Sequence, residues 1–246
     1  MKSYILSGIF AILVSVGCGS SDTATVQADL PEDAPIAFSN FRDGVTVYVE
    51  GDYVVVESKG VPDHKSPYYN TSNSLYEAYN GDNGNFHLNP NRIAEQNLTF
   101  RLPIVPQATS NNEATPLGPI GVSLNGVPFF NQYAGPNQPL TNEINSFDQY
   151  LGHPQQQGSY HYHVEPVYLT DLVGEDGLLG FLLDGFPVYG PREDGSNVTN
   201  QDLDAFHGHE HATIEYPDGI YHYHVTGEDP YINGSGFYGV AGTVSQ

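Results

Sequence analysis

One unit occurs twice in this chain, and it restricts the fold more than any other feature of the sequence. Gly121-Val-Ser-Leu-Asn125-Gly126-Val-Pro-Phe-Phe130 is matched by Gly180-Phe-Leu-Leu-Asp184-Gly185-Phe-Pro-Val-Tyr189. Each copy sets an Asn-Gly or Asp-Gly pair between apolar runs. This is the strongest short-range hairpin signal, because Asn, Asp and Gly tolerate the positive φ that a tight turn demands. Each hairpin is followed by Phe147-Asp148 or Leu203-Asp204, then by Gly152-His153 or Gly208-His209. The tetrapeptide Tyr160-His-Tyr-His163 or Tyr221-His-Tyr-His224 closes the unit. Two copies are too few for a solenoid. They predict two pseudo-symmetric repeats, about 120–164 and 179–225, sharing one β-rich core.

The remaining segments agree with that class. Val45–Glu50 and Tyr53–Glu57 are β-branched and aromatic runs around Gly51-Asp52, and Asn97–Pro103 reads as another strand. Residues 60–95 are rich in turn formers and tyrosine and are expected to form a long ordered loop. Helix candidates are short, at Asn142–Tyr150 and Leu169–Val173, because 27 Gly and 18 Pro recur too densely for long ones. The expected fold is therefore mainly β, a single sandwich- or barrel-like domain over 38–246 with few short helices.

Before it stand Lys2, an apolar run Ile5–Val16 and then Gly17-Cys18-Gly19, which read as a signal peptide (1–17) cleaved at a lipoprotein site. Cys18 would carry the lipid and 18–37 would be an acidic tether. Export to the periplasm or cell surface with a membrane anchor follows, with plain secretion as the runner-up. The formal charge of −22 repels phosphates, excludes nucleic acid as a partner and favours cations. The only cysteine is Cys18 and the only methionine is Met1, so an intramolecular disulfide is excluded and any bound metal must accept imidazole and oxygen donors.

At Gly60-Val-Pro-Asp-His64, Leu124-Asn-Gly-Val, Gly152-His153, Tyr160–His163, Leu183-Asp-Gly-Phe-Pro-Val-Tyr-Gly190, Gly208-His209 and Tyr221–His224 the chain resembles the bacterial YHYH-domain proteins. The resemblance runs from about Val45 to the end and implies a family, not an activity. Related sequences place cysteines near the Gly-His and C-terminal segments; here there are none, so the resemblance implies no sulfur ligand.

In a strand, residues i and i+2 share a face about 7 Å apart. His161 and His163 then project together, as do His222 and His224, with the tyrosines on the opposite side. Adding His153 to the first pair and His209 to the second gives three imidazoles per repeat, the ligand count of a zinc or copper(II) site with an open position. His64 is a further candidate ligand from the long loop. Asp148 and Asp204 suit carboxylates that orient an imidazole, and His207 and His211 flank His209 as outer neighbours. Glu193-Asp194-Gly195-Ser196-Asn197 reads as a plain turn. Two functional classes result. One is a histidine-rich metal protein, with metal-dependent hydrolysis or oxidation both open. The other is a metal-free adhesion or glycan-binding module that uses its 18 tyrosines as contacts and its histidines as packing.

Overall fold

The computed structural model describes residues 34–246. The signal segment, Cys18 and residues 18–33 of the tether lie outside the described residues. A 3-10 turn, Ile36–Asn40, brings the chain in, with Ala37 and Phe38 fully buried. Among the described residues no helix is long and apolar enough to cross a membrane.

The first three strands are β1 (Thr46–Glu50), β2 (Tyr53–Ser58) and β3 (Leu98–Pro103). They form an antiparallel sheet in the order β1-β2-β3-β16, where β16 is Thr243–Ser245 at the far end of the chain. The 39 residues between β2 and β3 carry no named strand or helix; turns and side-chain hydrogen bonds order them instead, as their composition predicts.

The duplicated unit builds an eight-stranded sheet. Its first copy supplies β4 (Pro119–Ser123), β5 (Pro128–Phe130), β8 (Gly152–Pro154) and β9 (Tyr160–Tyr162), with the short hairpin β6 (Tyr133–Ala134) and β7 (Gln138–Pro139) set off between them. Its second copy supplies β10 (Leu178–Leu182), β11 (Pro187–Tyr189), β14 (Gly208–His211) and β15 (Ile220–His224), with the hairpin β12 (Arg192–Glu193) and β13 (Ser196–Asn197). Spatial order is β14-β15-β11-β10-β4-β5-β9-β8, so the first copies of each strand run outward from β4 in the same sequence as the second copies run outward from β10. β4 and β10 pair antiparallel with Phe181 opposite Val122. Neither sheet closes on itself, and the fold is sandwich-like.

Both hairpin turns use glycine as the sequence requires. Gly126 sits at φ +78° and Gly185 at +82°, and each donates its amide back to the residue three before it. A Cβ at Gly126 would meet Ser58 Oγ at 2.3 Å, and one at Gly185 would meet the Pro103 carbonyl at 2.6 Å. The turn tips therefore press against the four-stranded sheet, and a side chain at either glycine would force the sheets apart. Between the sheets, Val54, Val56, Phe100 and Leu102 join Val122, Phe129, Phe181 and Val188 in one buried cluster, with Phe38 stacked on Phe181 at 4.2 Å. Truncating Phe181 to alanine should cost about 3–5 kcal/mol, most of it lost transfer energy and an unfilled cavity.

One expected helix is shortened and the other is present. Asn142–Tyr150 contains only a 3-10 turn, Glu143–Ser146, and the single α-helix among the described residues, α1, is Val167–Val173, which covers the expected Leu169–Val173 and starts two residues earlier. A backbone hydrogen bond from Leu151 to Asp148 turns the chain into β8 before the first of these segments can lengthen into an α-helix.

Candidate metal centres

The two tetrapeptides sort their side chains as a strand must. Tyr160, Tyr162, Tyr221 and Tyr223 face the core between the sheets, and the histidines face the other way. Antiparallel pairing of each Gly-His strand with its tetrapeptide strand then brings in the third ring. His153 is directly opposite His161, and His209 is directly opposite His222. Directly opposed residues have Cβ atoms roughly 5 Å apart, close enough for ring to meet ring.

Two separate groups result. In one, the Nε2 atoms of His153 and His161 are 3.1 Å apart, and those of His161 and His163 are 3.0 Å apart. In the other, His222 and His224 bring their Nε2 atoms to 3.1 Å, with His209 Nε2 alongside. They occupy opposite ends of the eight-stranded sheet, five strand spacings or roughly 24 Å apart, so the triplets do not meet.

What faces each ring's other nitrogen decides what the converging nitrogens are. His161 Nδ1 lies 3.1 Å from the Ser159 carbonyl and His163 Nδ1 2.5 Å from the Asn131 carbonyl. His222 and His224 repeat this on the carbonyls of Ile220 and Gly190, at 3.0 and 2.7 Å. A carbonyl only accepts, so each of these Nδ1 atoms carries the proton and each Nε2 is left a bare lone pair. His153 Nδ1 meets Ser146 Oγ at 2.7 Å; that hydroxyl already donates to the Glu143 carbonyl, so here too the imidazole must donate. In the first group three lone pairs point at one another with no proton between them.

Protonating the rings does not remove the conflict. Burial pushes His153 down to about 3 and His163 to about 4, while His161 lies well below its ordinary value of 6.5. Burial likewise lowers His222 and His224 to about 4. Uncharged imidazoles with convergent lone pairs are a ligand set in the protonation state a divalent ion needs.

Each group also has a carboxylate that the repeat did not reveal. Glu193 Oε1 is 3.2 Å from His222 Nε2 and 3.7 Å from His224 Nε2, and its Oε2 is 3.3 Å from His209 Nε2. Glu143 Oε1 reaches only His153 Nε2, at 3.3 Å. The two acids are not equivalent in the repeat. Four residues beyond Phe130 stands Ala134, whereas four beyond Tyr189 stands Glu193; four before Phe147 stands Glu143, whereas four before Leu203 stands Thr199. Asp194-Gly195, both at positive φ, make the two-residue turn of β12–β13 that delivers Glu193. The sequence reading of that segment as a turn is right, and the turn places a candidate ligand.

Several expected site residues lie elsewhere. His64 is on the tyrosine face, not with either triplet. Its Nδ1 meets the Lys65 carbonyl and its Nε2 the Tyr162 hydroxyl, both at 3.0 Å, which uses both ring nitrogens. Asp148 and Asp204 touch no imidazole of the triplets. They accept the hydroxyls of Tyr160 and Tyr221 and the amides of Gly152 and Gly208, so they anchor the tetrapeptide from behind. Main-chain carbonyls do the orienting expected of the carboxylates. His207 precedes β14 at φ +77° and bonds Thr226 Oγ1 at 3.1 Å, apart from the ligands. His211 does lie beside the second group, its Nδ1 3.1 Å from Glu193 Oε1.

Aromatic rings enclose the first group. Phe130 stacks on His161 at 3.9 Å, and Phe147 lies edge-on to His153 at 4.8 Å. In the second group Tyr189 stands edge-on to His222 at 5.1 Å.

The family described as YHYH protein matches residues 99–200 and 191–236, spanning both repeats and both histidine groups. The chain belongs to this family. No curated protein and no solved structure was found to be similar.

Proposed function

We propose that this YHYH-family chain is an exported metal-binding protein that holds two divalent ions, of the zinc or copper(II) class, one in each histidine group. His153, His161 and His163 would hold the first; His209, His222 and His224 with Glu193 the second. The single observation that carries this reading is the convergence of Nε2 lone pairs at 3.0–3.1 Å with every assignable proton committed to the far side of the ring. In a packing role those nitrogens would repel one another, and the fold would have no reason to align them; a cation turns the repulsion into coordination. Imidazole and carboxylate donors without thiolate suit zinc and copper(II) better than copper(I). A bound ion of this class polarises an oxygen donor at any position the protein leaves open, which is the basis for hydrolytic or oxidative chemistry in an exported protein. The membrane partner would be reached through lipid on Cys18.

The glycan-binding alternative draws less support. The four tetrapeptide tyrosines are buried, and the exposed ones among the described residues, Tyr53 and Tyr133, stand on separate sheets and form no row.

The test is equilibrium dialysis of the chelator-treated protein against zinc and against copper(II) at neutral pH. Two ions per chain are expected, falling to one in His161→Ala/His163→Ala. No binding, with an unchanged melting temperature, would refute the reading.

A further inference from the structure

The two groups are not copies of one site. Glu193 reaches all three imidazoles of its group and completes a set of four protein donors whose atoms all lie within 4.8 Å of one another. Four protein donors is the pattern of a closed, structural site; three with a vacancy is the pattern of a site that exchanges ligands. Among the described residues the first group has only three such donors. Its carboxylate, Glu143, touches one imidazole and otherwise borders a cavity of about 590 Å³ that His161, His163, Phe130 and Tyr133 also line. Among the described residues no lysine or arginine lines that cavity.

We infer that the His153–His161–His163 group is the exchangeable site, taking a small protic oxygen-donor ligand from the adjoining cavity, and that the Glu193 group is closed by the protein. The inference rests on the metal-binding reading and divides its two sites. Each feature of the cavity bears on the ligand. The missing donor leaves one coordination position to be filled from outside the chain. Glu143 stands beside the imidazoles and can accept a hydrogen bond from a donor that carries a proton, so it is a positioning residue there and not a metal ligand. Phe130 and Tyr133 supply apolar wall for the body of such a molecule, and the lack of a cationic side chain disfavours a multiply charged one. At the second group the carboxylate that spans the three nitrogens fills the corresponding position.

The experiment loads the full chain with cobalt(II), whose visible spectrum reports coordination, and titrates acetohydroxamic acid. The expected result is a spectral change saturating at one hydroxamate per two cobalt ions. It should persist in His222→Ala/His224→Ala and vanish in His161→Ala/His163→Ala. Glu143→Gln should keep two cobalt ions and weaken hydroxamate binding about five- to tenfold, the loss expected when a hydrogen bond to a charged acceptor becomes one to a neutral amide oxygen. A response from both cobalt ions, or from neither, overturns the inference while leaving metal binding intact. Loss of one cobalt ion in Glu143→Gln also overturns it, since that would make Glu143 a ligand. If no cobalt binds at all, the metal reading falls with it. Wild-type stoichiometry decides between one responding site and two, and weakened binding in Glu143→Gln says that the first group is the one, so a double variant that fails to fold does not remove the test; unchanged hydroxamate binding in Glu143→Gln overturns the inference.

Discussion

The two faces of each tetrapeptide strand obey opposite rules. On the core side every hydroxyl has a partner of the right kind: Tyr160 and Tyr221 donate to Asp148 and Asp204, Tyr223 donates to Asp184 at 2.6 Å, and Tyr162 takes a hydrogen bond from Asn125 while meeting His64. On the far side the backbone satisfies one nitrogen of each ring and leaves the other facing its own kind. Buried polar groups are normally paired, so a face that is paired throughout is architecture and a face that is systematically unpaired marks a ligand. The tetrapeptide is thus half scaffold and half site, and the alternation of a strand is what keeps the halves apart.

Substitutions on the two faces should therefore separate cleanly. The largest effect belongs to the histidines: His161→Ala/His163→Ala should weaken zinc binding at the first group by more than roughly 100-fold, beyond the range seen for supporting residues, as read by isothermal titration calorimetry. The next is a pH effect on the metal-free protein. Burial holds His153 near 3 and His163, His222 and His224 near 4 in the fold, against 6.5 when unfolded. Below 6.5 the unfolded chain gains protons that the folded one refuses, so their contribution to stability is whole above 6.5 and is lost as pH falls toward 4. Chemical denaturation from pH 7 to 4 should show that decline, and a flat profile would mean the rings are not buried and neutral. On the scaffold face, Tyr223→Phe removes a donor from the buried Asp184 and should cost about 1–3 kcal/mol of stability with metal stoichiometry unchanged. The smallest effect is expected at the support of the first group. Ser146→Ala frees His153 Nδ1 and should reduce zinc affinity about tenfold at that group alone, with little change in melting temperature.

What could be read from the sequence was what depends on near neighbours. The Asn-Gly and Asp-Gly turns, the alternation of Tyr-His-Tyr-His and the pairing of Gly-His with it are local, and they account for the hairpins and six of the imidazoles. The carboxylates could not be found by the repeat, because Glu143 and Glu193 enter from positions where the other copy has Thr199 and Ala134. The place of His64 is hidden for a related reason: a loop that crosses the molecule can lay a histidine on either face of a sheet, and here it meets the tyrosines. Asp148 and Asp204 stand close to Gly-His in sequence, but the turns they close point them at the glycine amides and tyrosine hydroxyls. Whether the two triplets form one site or two depended on strand order, which puts them at opposite ends of one sheet.

The most direct test is anomalous diffraction from crystals of the zinc-loaded chain, collected on both sides of the zinc absorption edge. Two peaks per chain are predicted, each about 2.0–2.1 Å from the Nε2 atoms of its three histidines. Imidazoles that pair Nε2 to Nε2, with no anomalous peak between them at saturating zinc, would contradict the account.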